Sequence, residues 1–174
     1  TPVPEFVRKA MADITIHHRT EEFEAIFKNT RELLIELYDM PEAVMLASSG
    51  TGAMEACVTN LTHKKALTIN SGKFGERFGK ICAAFGIDYT EIKNEWNTPV
   101  SVEAVINAIK TDSSIDAVFI QICESAGGLR HPVEQIAAEV KKINKDIMII
   151  ADGITAVGVE KIDTTNLDAV ITGR

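Results

Sequence analysis

The sequence predicts a three-layer α/β/α fold built around a mostly parallel central sheet. Apolar residues alternate along the chain between helical spacing and short continuous runs, as expected for helices that alternate with strands. The predicted strands are apolar at successive positions, which is typical of strands covered on both faces of a parallel sheet. A chain of 174 residues with 45% hydrophobic content is long enough to bury one core.

The first predicted elements are a long helix, a short strand and a second helix. From Thr20 onwards apolar residues recur at steps of three and four, with charged residues between them, until Pro41 ends the helix. The apolar run at 43–47 predicts a buried strand. A glycine-rich loop at 48–52 then leads into a helix predicted over 53–61.

Helices and strands continue to alternate over the remainder of the chain. Gly86 follows a predicted helix, where a left-handed residue commonly ends the helix. Pro132 begins a later helix, and His131 is predicted to cap it. The predicted strands lie at 66–69, 87–92, 117–123, 147–151 and 167–171, and the predicted helices lie at 74–85, from 101 and from 132.

Charge and composition exclude several classes of function. The formal net charge is −7, with Lys+Arg 18 against Asp+Glu 25, so no nucleic-acid or anionic-membrane partner is expected. No apolar run approaches the roughly 20 residues that span a bilayer, and no signal-type apolar core begins the chain, so we predict a cytoplasmic protein. The cysteines lie far apart and the histidines lack ligand spacing, so no metal site is predicted.

Four polar or glycine-rich loops follow predicted strands, at the sheet edge where open α/β folds bind ligands. The loop with Ser49, Gly50 and Thr51 leads into a helix, so its backbone N–H groups and the helix dipole favour an anion such as phosphate. The next loop offers Phe74 as a flat face for a planar ligand. A plain capped turn and a core aromatic residue are the structural alternatives for these two loops.

The other two loops supply a hydroxyl and an acid. Ser125 follows an apolar strand, where it can bind a ligand oxygen or form part of a turn. Asp152 ends an all-apolar strand, and a buried carboxylate must be paired or must bind a positive group. An anion cradle, an aromatic plate, a hydroxyl and an acid together suit a phosphorylated aromatic cation. Pyridoxal 5′-phosphate is such a molecule, and its ring nitrogen needs a carboxylate partner.

These loops occur within stretches that resemble the class V aminotransferases, in particular the alanine-glyoxylate and serine-glyoxylate branch. The resemblance covers nearly the whole chain, and the stretches that carry it are 18–24, 49–56, 74–77, 124–125 and 152–153. It implies the large domain of a fold type I pyridoxal-phosphate enzyme, working as a homodimer with active sites at the subunit interface. It also implies amino-group transfer between alanine or serine and glyoxylate or a similar 2-oxo acid.

The resemblance assigns a role to each candidate site residue. Asp152 would be the catalytic acid, because it pairs with the ring nitrogen and keeps it protonated. The run 126–128, Ala-Gly-Gly, departs from relatives, which carry a hydroxyl residue and a threonine before the glycine. The other cofactor contacts would be the phosphate on Ser49, Gly50 and Thr51, the pyridine ring between Phe74 and Ile154, and the phenolic oxygen near Ser125.

The end of the sequence departs further from the resembled family. In relatives the strand matching 169–172 leads to the lysine that binds the cofactor covalently, whereas here Gly173 is followed by Arg174. We therefore expect 1–174 to be a cofactor-binding large domain that is incomplete at both ends, without that lysine and without the small C-terminal domain. Alone it is expected to be inactive, to bind the cofactor weakly if at all, and to associate through exposed apolar surface.

Three alternatives remain open at the level of sequence. Another class V activity, such as a cysteine desulfurase-like lyase, would share the cofactor loops. A nucleotide-binding α/β module would use the loop at Gly50, but it requires an acid about 20 residues further on, where Asn70 and Ser71 stand. A non-catalytic fragment that folds and dimerises without turnover is the third alternative.

Overall fold

Helices and strands alternate through most of the chain in the computed structural model, which describes residues 2–173. The chain divides into two units, Thr1–Val44 and Met45–Arg174. The first unit contains the helices α1 (Glu5–Met11) and α2 (Glu21–Tyr38). The second contains α3 (Gly50–Leu61), β1 (Lys65–Asn70), α4 (Gly75–Phe85), β2 (Tyr89–Lys93), α5 (Val102–Thr111), β3 (Ile115–Gln121), β4 (Cys123–Glu124), β5 (Leu129–Arg130), α6 (Val133–Ile143), β6 (Met148–Asp152) and β7 (Ala169–Ile171).

The first unit consists of the predicted long helix and a short helix that the sequence did not predict. Thr20 caps α2, because its hydroxyl oxygen accepts a hydrogen bond from the Phe23 N–H at 3.3 Å. The helix ends at Asp39, which adopts a left-handed conformation with φ 50°. No residue of α2 is buried, and its exposed large apolar side chains are Ile26, Phe27, Leu33 and Leu37.

The second unit confirms the predicted α/β class. Its five-stranded sheet has the order β2-β1-β3-β6-β7, and every neighbouring pair is parallel. On one face α3 and α4 bury Met54 and Phe78 against Phe119. On the opposite face α5 and α6 pack against β3 and β6 through a separate cluster that includes Val105 and Ile136. The sheet is therefore the middle of three layers, as the continuous apolar runs predicted.

The strand order places a topological switch point between β1 and β3. The chain leaves β1 towards α4 on one face of the sheet, and it leaves the adjacent β3 towards α6 on the other face. A crevice forms where neighbouring strands send their connections to opposite sides, and open α/β sheets bind ligands there. The loops that begin at 71 and 122 border this crevice, so the topology indicates where a ligand site should be sought.

Two local predictions are wrong. The run at 43–47 is not a strand, and Val44 and Leu46 are 78% and 47% exposed. An apolar run alone does not specify a strand, because a strand also needs a neighbour to accept its backbone hydrogen bonds. The loop predicted after β3 instead contains a hairpin, in which Cys123 pairs with Arg130 and Glu124 with Leu129. Strands of two residues are too short to produce a periodic pattern.

The helix boundaries also differ from the prediction at two places. Pro132 is the N-cap of α6, so the prediction that His131 caps this helix is wrong. His131 is instead buried, and its Nδ1 accepts a hydrogen bond from the Val100 N–H at 3.2 Å. Helix α3 begins at Gly50 rather than at 53, and its first backbone bond runs from the Ala53 N–H to the Ser49 carbonyl.

Candidate functional site

Asp152 is a buried acid at the carboxyl end of β6. It is 5% exposed, and its Oδ1 accepts a hydrogen bond from the Ile154 N–H at 3.1 Å. Burial raises the pKa of this carboxyl, although the Ile154 N–H, the Gln121 side chain and the positive charge of Arg77 act in the opposite direction. None of the ion pairs among residues 2–173 includes Asp152. The site therefore holds an acid whose charged form still needs a positive partner.

Gln121 lies beside Asp152, because the two residues are register partners on β3 and β6. Its Nε2 donates a hydrogen bond to the Phe74 carbonyl at 2.9 Å, and its amide lies near enough to Asp152 to act against the rise in the pKa of that carboxyl. Its Oε1 is buried and has no hydrogen-bond partner among the described residues. Gln121 was not predicted from the sequence as a site residue. The sequence offered one clue, an amide side chain at the end of an otherwise apolar predicted strand.

The predicted anion cradle is the N-terminus of α3. Ser49 is the exposed N-cap and makes no side-chain capping bond. A Cβ atom added to Gly50 would lie 3.4 Å from the Ile154 Cδ1, so the first and the fourth predicted loops are in contact. A Cβ atom on Gly173 would lie only 2.8 Å from the Gly50 nitrogen, so the backbone after β7 also passes close to the cradle. A residue with a Cβ atom would clash with the cradle backbone, so position 173 requires glycine.

Arg77 connects the cradle to the predicted aromatic plate. Its Nη1 donates a hydrogen bond to the Thr51 hydroxyl oxygen at 3.1 Å, and its guanidinium carbon lies 4.9 Å from the centre of the Phe74 ring. This distance is typical of a cation–π contact. The guanidinium covers one face of Phe74, so a planar ligand can stack only on the other face. Arg77 was not among the residues predicted from the sequence, although it follows Phe74 by three residues and therefore lies near it on the first turn of α4.

Glu124 connects the loop that contains Ser125 to the loop that contains Phe74 through hydrogen bonds. It is 1% exposed, and its Oε2 accepts hydrogen bonds from the N–H groups of Phe74 at 3.0 Å and Gly75 at 2.8 Å. Its Oε1 accepts a third bond from the Ala126 N–H at 3.1 Å. A Cβ atom on Gly72 would lie 2.6 Å from the Glu124 Cγ, so this close approach requires glycine. The carboxylate thereby fixes the backbone that presents Phe74.

Ser125 is the predicted site residue that the structure does not connect to the others. It lies in the turn between β4 and β5 and is exposed. Within residues 2–173 no hydrogen bond joins its hydroxyl to the cradle, to Phe74 or to Asp152. The other predicted residues are brought together, through the contacts Gly50–Ile154, Thr51–Arg77–Phe74 and Phe74–Gln121–Asp152.

Comparison with known proteins identifies the family. The model of the family described as aminotransferase class-V matches residues 4–173. The chain belongs to the class V aminotransferases. This class V chain is 49% identical to an uncharacterized aminotransferase of Helicobacter pylori, over 99% of the chain and 48% of that protein. It is 31% identical to a 2-aminoethylphosphonate–pyruvate transaminase of Pseudomonas fluorescens, over 79% of the chain and 38% of that protein.

Solved structures agree with this family. An aspartate aminotransferase of subgroup IV from Thermus thermophilus superimposes with a TM-score of 0.88 at 27% identity, over 98% of this chain and 49% of that one. The match confirms the fold type I architecture predicted from the resemblance. The class V chain spans about half the length of the curated relatives it matches.

Two cysteines of this class V chain have thiols that burial makes less acidic. Burial raises the pKa of the Cys57 and Cys82 thiols to about 11, so both are protonated at neutral pH. Among residues 2–173 no group of three or more His, Cys, Asp or Glu side chains is arranged to hold a metal ion. No helix in that part of the chain is long and apolar enough to cross a membrane.

His131 makes the stability of this class V chain dependent on pH. Burial lowers its pKa from 6.5 to about 4, and the hydrogen bond from Val100 requires an unprotonated Nδ1. Below pH 6.5 the unfolded chain binds a proton that the folded chain does not, so the free energy of unfolding falls as pH decreases. The loss is about 3 kcal/mol by pH 4. Urea unfolding of the wild type and of His131→Gln at several pH values checks this. If the free energy of unfolding changes equally with pH in both proteins, His131 is not the cause of the pH dependence.

Proposed function

We propose that the protein containing this chain is a pyridoxal-phosphate-dependent transaminase that moves an amino group between alanine or serine and glyoxylate or a similar 2-oxo acid. The observation that carries the proposal is the buried Asp152 carboxyl, which forms no ion pair among residues 2–173 and lies in a loop whose Ile154 approaches Gly50 at the N-terminus of α3. A protonated pyridine nitrogen supplies the missing positive partner. Membership of the class V family supports the same cofactor.

The residues present fit this cofactor. Ser49, Gly50 and Thr51 would bind its phosphate, because a helix N-terminus presents N–H groups and a favourable dipole to an anion. Arg77, beside Thr51, adds a positive charge to the same end of the site. Phe74 is half-buried and Ile154 is 43% exposed, and they would cover the two faces of the ring. By the resemblance, Ser125 would lie near the phenolic oxygen.

The chemistry follows from these placements. When bound, pyridoxal phosphate supplies a ring that withdraws electrons from the α-carbon of the amino acid. Asp152 holds a proton on the ring nitrogen, which keeps the ring electron-poor. The hydrogen bond from the Ile154 N–H favours the ionised form of Asp152, whereas burial raises the pKa of this carboxyl, so a positively charged ring nitrogen would favour its ionised form further. Glu124 and Arg77 hold Phe74 in place, so that the Phe74 ring keeps its orientation relative to Asp152.

We propose that the whole protein is a cytoplasmic homodimer. The exposed apolar side chains of α2 support association, since an amphipathic helix normally covers its apolar face. Light scattering of the intact protein should give the mass of a dimer, and a monomeric mass would contradict the proposal.

A substrate panel tests the proposed reaction. The intact protein loaded with pyridoxal phosphate is given alanine, serine, cysteine or 2-aminoethylphosphonate, with glyoxylate or pyruvate as acceptor. We expect amino transfer from alanine or serine to glyoxylate. Transfer from 2-aminoethylphosphonate alone would instead favour the activity that names the Pseudomonas relative. Release of sulfide from cysteine without amino transfer would favour a lyase and contradict the proposal.

A further inference from the structure

Arg77 is a half-buried cation beside the candidate site, and none of the ion pairs among residues 2–173 includes it. Its neighbour in the sequence, Glu76, instead pairs with Lys73 and Lys80. Arginine is the common choice where a partly buried cation meets a carboxylate or a phosphate. The position of Arg77 therefore indicates a role in the site rather than in a surface ion pair.

The Thr51 hydroxyl oxygen accepts a hydrogen bond from the Arg77 Nη1 at 3.1 Å, and among residues 2–173 the hydroxyl donates none. A threonine within a helix commonly donates to the carbonyl four residues before it. Thr59, in the last turn of α3, does so to the Glu55 carbonyl at 2.8 Å. Thr51 lies in the first turn, where no helical carbonyl precedes it. Its hydrogen therefore remains available to a ligand.

The contact with Arg77 restricts the direction in which Thr51 can donate. A hydroxyl has one hydrogen and two lone pairs, whereas a guanidinium has donors only. Because Arg77 donates to Oγ1, the Thr51 hydrogen must point away from the guanidinium. A charge-assisted hydrogen bond also polarises the O–H group, which makes it a better donor to an anion. The hydroxyl and the unpaired backbone N–H groups of the first turn are therefore donors at the same end of α3.

Phe74 holds the guanidinium in its place. The Arg77 guanidinium carbon lies 4.9 Å from the centre of the Phe74 ring, and the Arg77 N–H donates to the Phe74 carbonyl at 3.2 Å. The cation–π contact and this backbone bond restrain both ends of the arginine. Among residues 2–173 no hydrogen bond joins Thr51 to Phe74 directly, so Arg77 makes the link between the cradle and the plate.

We infer that Arg77 is a positioning residue that makes the site selective for a phosphorylated ring, because its guanidinium directs the Thr51 hydroxyl to donate to the phosphate. This inference rests on the proposed function. It differs from a simple attraction of charge, since it requires Arg77 to act through Thr51. A charge alone would attract a phosphate whether or not the hydroxyl were present. A ring without a phosphate would gain nothing from the directed hydroxyl.

Binding of two probes to the intact protein tests the inference. Pyridoxamine 5′-phosphate and pyridoxamine share a ring, differ in the phosphate and form no bond to a lysine. Thr51→Val removes the hydroxyl, and Arg77→Met removes the charge and the side-chain donors. For each variant we expect the Kd of the phosphorylated probe to rise about tenfold or more, as for one lost hydrogen bond to a charged group, and that of pyridoxamine to change less than about threefold. The matched control is Lys80→Met, on the exposed face of α4, which should bind both probes as the wild type does.

The double variant of Thr51→Val and Arg77→Met separates positioning from charge. If Arg77 acts through the hydroxyl, the two losses overlap. The Kd of the phosphorylated probe should then fall short of the product of the two single rises by about fivefold or more. A Kd that equals this product means that Arg77 acts by its charge alone and overturns the inference. Equal rises for both probes in Arg77→Met mean a merely structural role and overturn it too.

The outcomes separate the inference from the proposed function. Independent losses in a protein that binds the phosphorylated probe overturn the inference and leave the proposed function intact. A wild-type protein that does not bind this probe overturns both. If Arg77→Met does not fold, nuclear magnetic resonance of the wild type with isotope-labelled arginine decides. The Arg77 side-chain signals should move more with pyridoxamine 5′-phosphate than with pyridoxamine, and equal or absent movement overturns the inference.

Discussion

Asp152→Asn is expected to lower the transaminase kcat/KM of the intact protein by at least about a hundredfold, the scale of a lost proton-holding group. The amide is neutral and cannot balance the charge of a protonated ring nitrogen, so the ring withdraws electrons less strongly. Residual binding should survive, because the α3 N-terminus and Phe74 are unchanged. Steady-state kinetics with the best donor and acceptor from the substrate panel measures the loss.

A cofactor with a permanent ring charge provides the decisive comparison. Pyridoxal phosphate methylated at the ring nitrogen carries its positive charge without help from a carboxylate. The difference in kcat/KM between Asp152→Asn and the wild type should therefore be smaller with this cofactor. Asp146→Asn makes the same substitution at an exposed position before β6 and should retain wild-type kinetics. If Asp152→Asn retains full activity with the natural cofactor, Asp152 does not hold the ring nitrogen.

Asp152→Asn should lower activity, but it should not lower the stability of the protein without cofactor. Burial raises the pKa of Asp152 above 3.8, so this acid contributes stability below pH 3.8 that is lost as pH rises through its folded pKa. At neutral pH, without cofactor, folding must either bury the charge of this carboxylate or protonate it, and Asn removes that cost. We therefore expect the apo form of Asp152→Asn to be at least as stable as the wild type. A functional residue that costs stability is common at active sites.

The parts of the fold and site that were predictable from sequence have local causes. Continuous apolar runs identified the central strands because a buried parallel strand needs apolar residues on both faces. Gly86 was predictable as a helix end, and it adopts φ 68°. Asp152 and the loop at Gly50 stood out because a lone acid after an apolar strand and clustered glycines before a helix are visible within a few residues.

The parts that were missed depend on partners distant in the sequence. Glu124 accepts bonds from Phe74 and Gly75, which precede it by about fifty residues, and no local pattern announces such a contact. Gln121 looks like an ordinary strand end until its neighbour Asp152 is known. The predicted strand at 43–47 failed for the converse reason, because an apolar run gives no information about whether a pairing strand is present.

Glu124→Ala is expected to lower the free energy of unfolding by about 3 kcal/mol, because it leaves three N–H groups without their acceptor. The groups are the amides of Phe74, Gly75 and Ala126. Hydrogen exchange should accelerate at the Phe74 and Gly75 amides in particular. Glu103→Ala, on the exposed face of α5, is the matched control and should change stability by less than about 1 kcal/mol.

A double-mutant cycle with Gly72 tests the same contact from the other side. Gly72→Ala alone should destabilise the fold, because the added Cβ atom would lie 2.6 Å from the Glu124 Cγ and three hydrogen bonds prevent Glu124 from moving away. In the Glu124→Ala background that clash is absent, so the same substitution should cost much less. A coupling energy of about 1 kcal/mol or more in urea unfolding is therefore expected. Strictly additive effects would mean that Glu124 does not fasten the two loops together, and the placement of Phe74 would then need another cause.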